Sequence, residues 1–406
     1  MKALYVISNP FYYTLNPVGG SISSGTGVIQ ALKKQGFEVD ILSDDKLPTI
    51  NQETSISYLR FHNLLIRKLL FQMRVVLPHL IFNQLTKIFF ELSIKYTLPN
   101  ILELKSYDLV YIRASHYAGE VLRVVSNQGI SSILEVNKPL SMQPFNKSQG
   151  FEKLKKSEVP TIPAELDQYE FCTMISVDST LRAKWITDYV AKKFKNKIFV
   201  NHNGVNENLF SLGARTNYTE TVGMASSFRW YNDIDEMFRI FSLVISQKKD
   251  IIFKLFVGDI NKKRVLIDKI KDLNLSNNVS LELEVPLHKM PSLMSNCDIL
   301  ISHFNFHGVW PHNCSIKHLE YMSLSKPVVA TNVGEVNFAI KDGHNGILVD
   351  EGDEKGFAEA IIYLLNNKEH SIKLGKNGRK DIMDYHTWDK HVERSLIALK
   401  SYETNK

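Results

Sequence analysis

Short apolar runs rich in β-branched residues alternate with amphipathic stretches along this chain, and the alternation predicts strands and helices in turn. Ala3–Ile7 reads as a strand, followed by the Gly- and Ser-rich stretch NPVGGSISSG and a helix from about Thr26 to Gln35 that Gly36 ends. Phe37–Leu42, Tyr107–Arg113, Ser131–Asn137 and Thr173–Val177 read as further strands, with helices over Tyr117–Gln128, Ala164–Phe171 and Ser179–Lys193. Residues 138 to 163 are polar and turn-rich without clear periodicity, which predicts a long loop of the kind that forms lids or binding segments. After an Asn-Gly turn near Asn201 the alternation restarts. Strands are expected in TVGMAS, DIIFKLFVGD, VSLELEV, CDILISH, KPVVATN and GILVD. Helices are expected in NDIDEMFRIFSLVIS, KKRVLIDKIKDL and SIKHLEYMS, and from about Lys355 to Lys400.

Such a succession implies parallel sheets with crossover helices. At 406 residues the chain exceeds what one core usually organises. Two Rossmann-like, doubly wound α/β domains facing a central cleft are expected: 1–200, 201–385, and a terminal helix, 386–406, packing back toward the first domain. Ligands bind at the carboxyl ends of such sheets.

Composition changes this picture little: 44% hydrophobic and 23% charged residues are ordinary for a globular chain. Three cysteines, Cys172, Cys297 and Cys314, show no metal-ligand spacing and read as reduced thiols of a cytoplasmic protein. MKALYVISNPF lacks the apolar core and cleavage pattern of a signal peptide, and no uninterrupted apolar stretch is long enough for a membrane span. The net charge is +6. Residues 56 to 104 combine Leu, Ile and Phe with Arg60, Arg67, Lys68, Arg74, Lys87 and Lys95, and two readings stand. Either amphipathic helices rest on an anionic bilayer, making the protein peripheral to the membrane, or they cover the first domain's core with their charges in water. Nucleic acid is not an expected partner, because the basic residues accompany no recognisable binding module.

Three segments carry candidate chemistry. Gly19 and Gly20 lie between a strand and a helix, where small residues let backbone amides approach a phosphate; a plain tight turn explains them equally well. In WPHNCSIKHLEYMSLSKPVVATNVG, Trp310–Gly334, Asn313 or Ser315 can cap a helix starting near Ile316. Lys317 in its first turn opposes the helix dipole, which a bound diphosphate would justify. Glu320, one turn on, can accept two hydrogen bonds from a ribose diol, or simply pair with Lys317 at the surface. In SSFRWYND, Arg229 follows a strand's carboxyl end and its planar fork suits a phosphate. His303, His307, His312 and His318 match no metal-ligand spacing, so no metal is expected.

Taken in order, these segments resemble the retaining glycosyltransferases of family 4, which have the GT-B fold. The resemblance runs through NPVGG, GFEVDIL, NHNGVNENLF, SSFRWYNDID, FVGD, SIKHLEYMSLSKPVVATNVGE, HNGILVD and YHTWD, nearly the whole chain. It implies a hexosyltransferase-like, metal-independent enzyme of polysaccharide biosynthesis. No cofactor is implied beyond a nucleoside diphosphate sugar as co-substrate, and the acceptor is a saccharide or lipid-linked saccharide. Glu320 matches the ribose-binding second glutamate of the family's Glu-x7-Glu motif. Ser315 and Ile316 would hold the diphosphate through their amides, with Gly19 and Gly20 approaching from the first domain. Arg229, Lys317 and His312 would serve the chemical step. Glu135 and Asn137, ending a strand in LEVNKP, are candidate acceptor or sugar contacts, as are Arg113 and His116.

The departures fall at the donor site. His312 stands where the family has the first glutamate, and Asn232 where it has a lysine. They motivate an alternative, a catalytically silent paralogue that binds a sugar nucleotide or a partner glycosyltransferase. A sugar-nucleotide 2-epimerase is disfavoured by the absence of that family's motifs.

Overall fold

A computed structural model describes residues 1–8, 20–43, 57–60, 72–73, 76, 78–145, 154–211, 218–228, 232–304 and 315–403. The chain divides into two compact units: residues 1–144, 153–202 and 391–406 form one, and residues 145–152 and 203–390 the other.

The first unit is built on a seven-stranded parallel sheet. Its strands are β1 (Lys2–Val6), β2 (Glu38–Leu42), β3 (Ser57–Leu59), β4 (Leu109–Arg113), β5 (Ser131–Val136), β6 (Met174–Val177) and β7 (Ile198–Val200), in the order β3-β2-β1-β4-β5-β6-β7. The strand order reverses between β1 and β4, the switch point outside which such sheets bind ligands. Leu4, Val6, Val110, Ile112, Leu134 and Ile175 form one core layer with Phe90, Ile94 and Leu98 of the long helix His79–Lys105.

The second unit repeats the plan with six strands: β8 (Thr221–Ser226), β9 (Ile252–Val257), β10 (Val279–Leu283), β11 (Ile299–Ser302), β12 (Val328–Thr331) and β13 (Ile347–Val349). Their order is β10-β9-β8-β11-β12-β13, again all parallel. Successive side chains enter opposite layers, as the pleat requires. Ile299 and Ile301 join Phe238, Phe241 and Phe253 on one face, while Leu300 joins Leu319, Tyr321 and Met322 on the other.

Three local expectations are corrected. The first helix starts at Gly20 rather than near Thr26, so much of the Gly- and Ser-rich stretch is helical: Ser24 and Thr26 are buried and Val28, Ile29, Ala31 and Leu32 pack fully inside. The helix expected over Ser179–Lys193 is α-helical only over Thr180–Trp185, widens into a π-helical turn at Ile186–Val190, and breaks at Ala191, whose φ of −159° is extended. Fully buried Trp185, donating through Nε1 to Ser141 Oγ at 3.0 Å, anchors this region. The expected long loop after Asn137 is pinned at its start, where Leu140–Phe145 forms a 3-10 turn and Ser141 N donates to the buried carboxylate of Glu165 at 3.0 Å.

Candidate functional site

In the second unit the helix Ile316–Ser323 follows β11 and is locked to the neighbouring strand. Tyr321, fully buried, accepts a hydrogen bond from Ala225 N at 2.9 Å through its hydroxyl, which ties the helix to the carboxyl end of β8. His318, also fully buried, bonds Ser302 Oγ through Nε2 at 2.8 Å and packs edge-on to Phe304. Burial pulls the His318 imidazole down to about 3, with Lys317 adding to the effect, so the ring is neutral and structural. The helix start is thereby held at the switch point between β8 and β11, with its first amides unsatisfied within the helix.

Ser315 occupies the cap position, but its side chain makes no capping hydrogen bond; the expectation that its hydroxyl caps the helix is corrected. Ile316 is the first helical residue, and Lys317 and Glu320 are half-buried on the first turn and the next. Burial pushes the Glu320 carboxyl up to about 7, against an opposing pull from the Lys317 ammonium. A carboxylate poised near neutrality beside a cation and a helix N-terminus suits a ligand carrying both hydroxyls and negative charge.

Asn232 is where the structure adds most. It is 6% exposed, accepts from Ser226 Oγ at 2.9 Å, and donates to the His303 carbonyl at 2.9 Å. The residue that departs from the family's lysine thus clasps the carboxyl ends of β8 and β11 together. Ser226 Oγ also accepts from Phe228 N at 2.9 Å and supports Phe228 at φ 46°, a left-handed conformation that is unfavourable for an aromatic residue. Buried His303 faces buried Glu236 at 3.3 Å. Arg229 and His312, together with Asn313, His307 and Gly19, lie outside the described residues. Gly20 is the first residue of its helix.

In the first unit the ends of β4 and β5 bring three expected residues together. Asn137 Nδ2 donates to Glu135 Oε1 at 2.7 Å, and Arg113 reaches the same oxygen at 3.6 Å. His116 is exposed on the segment after β4. Four residues of this neighbourhood were not singled out from sequence: Tyr111, His391, and the buried ion pair of Asp178 with Arg182. Tyr111 sits two residues before Arg113 on the same strand, a period-2 signal that would have found it. His391 comes from the terminal helix Trp388–Glu403, and nothing local foretells its contact.

Residues 207–381 match the family described as glycosyl transferases group 1. An uncharacterized glycosyltransferase of Methanocaldococcus jannaschii is 28% identical over 228 residues, 55% of this chain and 59% of that protein. The capsular polysaccharide biosynthesis glycosyltransferase CapM of Staphylococcus aureus is 26% identical over 225 residues, 52% of this chain and 57% of that protein. The chain therefore spans less than two thirds of the length of these relatives. Among solved structures, a glycosyltransferase from Rickettsia africae superposes with a TM-score of 0.71 at 16% identity, covering 100% of this chain and 99% of that one. Anabaena HepE in complex with UDP gives 0.67 at 16% identity, covering 99% and 100%. Likeness of this extent shows the GT-B fold.

Proposed function

We propose that this chain, whose residues 207–381 match the glycosyl transferases group 1, moves a glycosyl group from a nucleoside diphosphate sugar to a saccharide or lipid-linked acceptor in surface polysaccharide synthesis. The observation that carries the proposal is the start of helix Ile316–Ser323 at the β8/β11 switch point, with Lys317 and Glu320 on its first two turns. The amides of Ser315 and Ile316 and the Lys317 ammonium hold the diphosphate, and Glu320 accepts the ribose hydroxyls. Gly19 and Gly20 approach the phosphates; Arg229 and His312 complete the donor site. The relatives support this reading: CapM is named for capsular polysaccharide biosynthesis, and HepE has been solved with UDP and with UDP-glucose.

Retention of configuration follows from a front-face displacement in which the departing β-phosphate takes the acceptor hydroxyl's proton. The protein's contribution is orientation and electrostatic stabilisation of the leaving diphosphate, without a metal. Glu135, Asn137, Arg113 and His116 contact the acceptor or the sugar. We place the protein in the cytoplasm, peripheral to the membrane. Helix His79–Lys105 supports that placement with a stripe of exposed Ile81, Ile88, Leu92 and Tyr96 opposite buried Phe90, Ile94 and Leu98. Among the described residues no helix is long and apolar enough to cross a membrane.

The test is transfer and donor hydrolysis across UDP-, GDP- and ADP-sugars with oligosaccharide acceptors. Turnover with one donor is expected. Nucleotide binding without turnover on any donor and acceptor would instead establish a sugar-nucleotide-binding paralogue.

A further inference from the structure

The carboxyl ends of β8 and β11 part before either strand finishes. β8 keeps its ladder with β9 from Thr221 to Ser226, but its ladder with β11 covers only Ile299↔Val222 and Leu300↔Gly223. Such a parting at a switch point opens the crevice in which ligands bind. Beyond Gly223 a side chain makes the joint. The buried Asn232 amide accepts from Ser226 Oγ at 2.9 Å on the β8 side and donates to the His303 carbonyl at 2.9 Å on the β11 side. The His303 ring in turn faces Glu236 at 3.3 Å, in the first turn of helix Ile234–Gln247, so the β11 end is held from two directions.

The helix Ile316–Ser323 hangs from the same two strand ends. The Tyr321 hydroxyl accepts from Ala225 N at 2.9 Å, one residue before Ser226, and His318 Nε2 meets Ser302 Oγ at 2.8 Å, one residue before His303. The two strand ends and the helix thus form a triangle, and Asn232 is its third side. Tyr321 and His318 are both fully buried in close-packed surroundings, so a change in the separation of the strand ends passes into the helix. The third side is also directional. An amide offers a donor and an acceptor, as this joint requires; the lysine that the family resemblance implies has donors only, and an aspartate has acceptors only. The Ser226 hydroxyl gives its hydrogen to Asn232 and keeps a lone pair for Phe228 N at 2.9 Å, which holds Phe228 at φ 46°. Backbone strain of this kind persists only where the surroundings over-determine it.

We infer that Asn232 is a positioning residue for the nucleotide: it fixes the separation of the β8 and β11 ends and so aims the helix start, with the Ser315 and Ile316 amides, at the diphosphate. The inference rests on the donor site proposed above. It gives position 232 a part in nucleotide binding through the backbone rather than through a charge.

Calorimetric titration with UDP, GDP and ADP well below the melting temperature reads folded molecules only, so lost stability by itself leaves the affinity unchanged. Asn232→Ala is expected to weaken the diphosphate that binds the parent best by about tenfold. Asn232→Asp still accepts from Ser226 but cannot donate to the His303 carbonyl, and is expected to lose about as much. Ser226→Ala breaks the same joint from the β8 side. Combined with Asn232→Ala it should stay within about threefold of the weaker single variant, where independent effects would multiply to about a hundredfold. Affinities within about twofold of the parent in both Asn232 variants, or a double variant that loses the full product, overturn the inference. If the Asn232 variants do not fold, Ser226→Ala decides alone, and parental affinity in it overturns the inference. If the parent binds none of the three nucleotides, the donor reading fails, and amide hydrogen exchange decides the brace instead, with the amides of β10 as internal reference. Exchange in helix Ile316–Ser323 about tenfold faster in Ser226→Ala than in the parent, relative to β10, supports the brace; equal exchange overturns it.

Discussion

Glu320 shows how much one side chain's surroundings decide. With its carboxyl at about 7 in the folded chain against an ordinary 4.5, the folded state binds one proton more than the unfolded state between those values. Stability therefore falls as pH rises across that window and stays at its lower level above it. Glu320→Gln, which carries no charge to desolvate, should melt higher than the parent at pH 8, by roughly 2–4 °C for each kcal/mol regained, and converge with it near pH 4. Thermal scans at the two pH values check this. The ribose recognition proposed for Glu320 has the opposite sign, because a diol donates to the ionised form. Nucleotide affinity of the parent should rise as pH increases through about 7, and Glu320→Ala should weaken binding about tenfold or more at pH 8 and flatten that profile. Calorimetric titration with UDP, GDP and ADP reads both effects, and an unchanged affinity would remove Glu320 from the ribose site. Asn232 is the counterpart: a residue that from its sequence context looked like a lost cation is a satisfied buried amide. Asn232→Ala should cost about 1–3 kcal/mol in chemical denaturation by leaving Ser226 and the His303 carbonyl without it. Asn232→Lys, although it restores the family's residue, should also destabilise, because an ammonium would enter a site only 6% exposed.

Among the elements, strands and helices were legible where periodicity was strong, and their limits moved where packing took over. β4, β5 and β11 lie inside the predicted runs within a residue or two. The first helix extends back to Gly20 because tertiary burial outweighs the helix cost of glycine and serine, and the helix after Ser179 narrows to Thr180–Trp185 around buried Trp185. β8 meets the helix Ile316–Ser323 through Tyr321 and packs closely at Gly223 against Cys297 and against Leu300 of β11. There a Cβ would stand 2.5 Å from Cys297 Sγ and 2.8 Å from Leu300 Cδ2. Gly223→Ala is expected to cost about 1–3 kcal/mol by overpacking and, on the proposed function, to lower nucleotide affinity by shifting the strand end under the proposed donor site. Urea unfolding together with nucleotide titration separates the two effects.

For the molecule as a whole, the two parallel sheets of like strand order account for the similarity to GT-B structures over nearly the full chain at only 16% identity. The exposed stripe of helix His79–Lys105 bears on where the protein works. The parent should float with liposomes containing anionic lipid, and Ile88→Glu with Leu92→Glu should reduce flotation by about tenfold or more while leaving the melting temperature near that of the parent. No flotation of the parent would leave these helices as a cover for the first unit's core.

What the sequence by itself determined was the succession of elements and the resemblance that singles out the segment Lys317–Glu320, because hydrophobic period and short motifs are local and survive without coordinates. What only the tertiary structure decided was which groups are satisfied and which are not. Asn232 and His303 lie 71 positions apart, and Tyr111 and His391 lie 280 apart. Burial and shared hydrogen bonds are properties of neighbours brought together by folding, and a linear pattern carries no record of them.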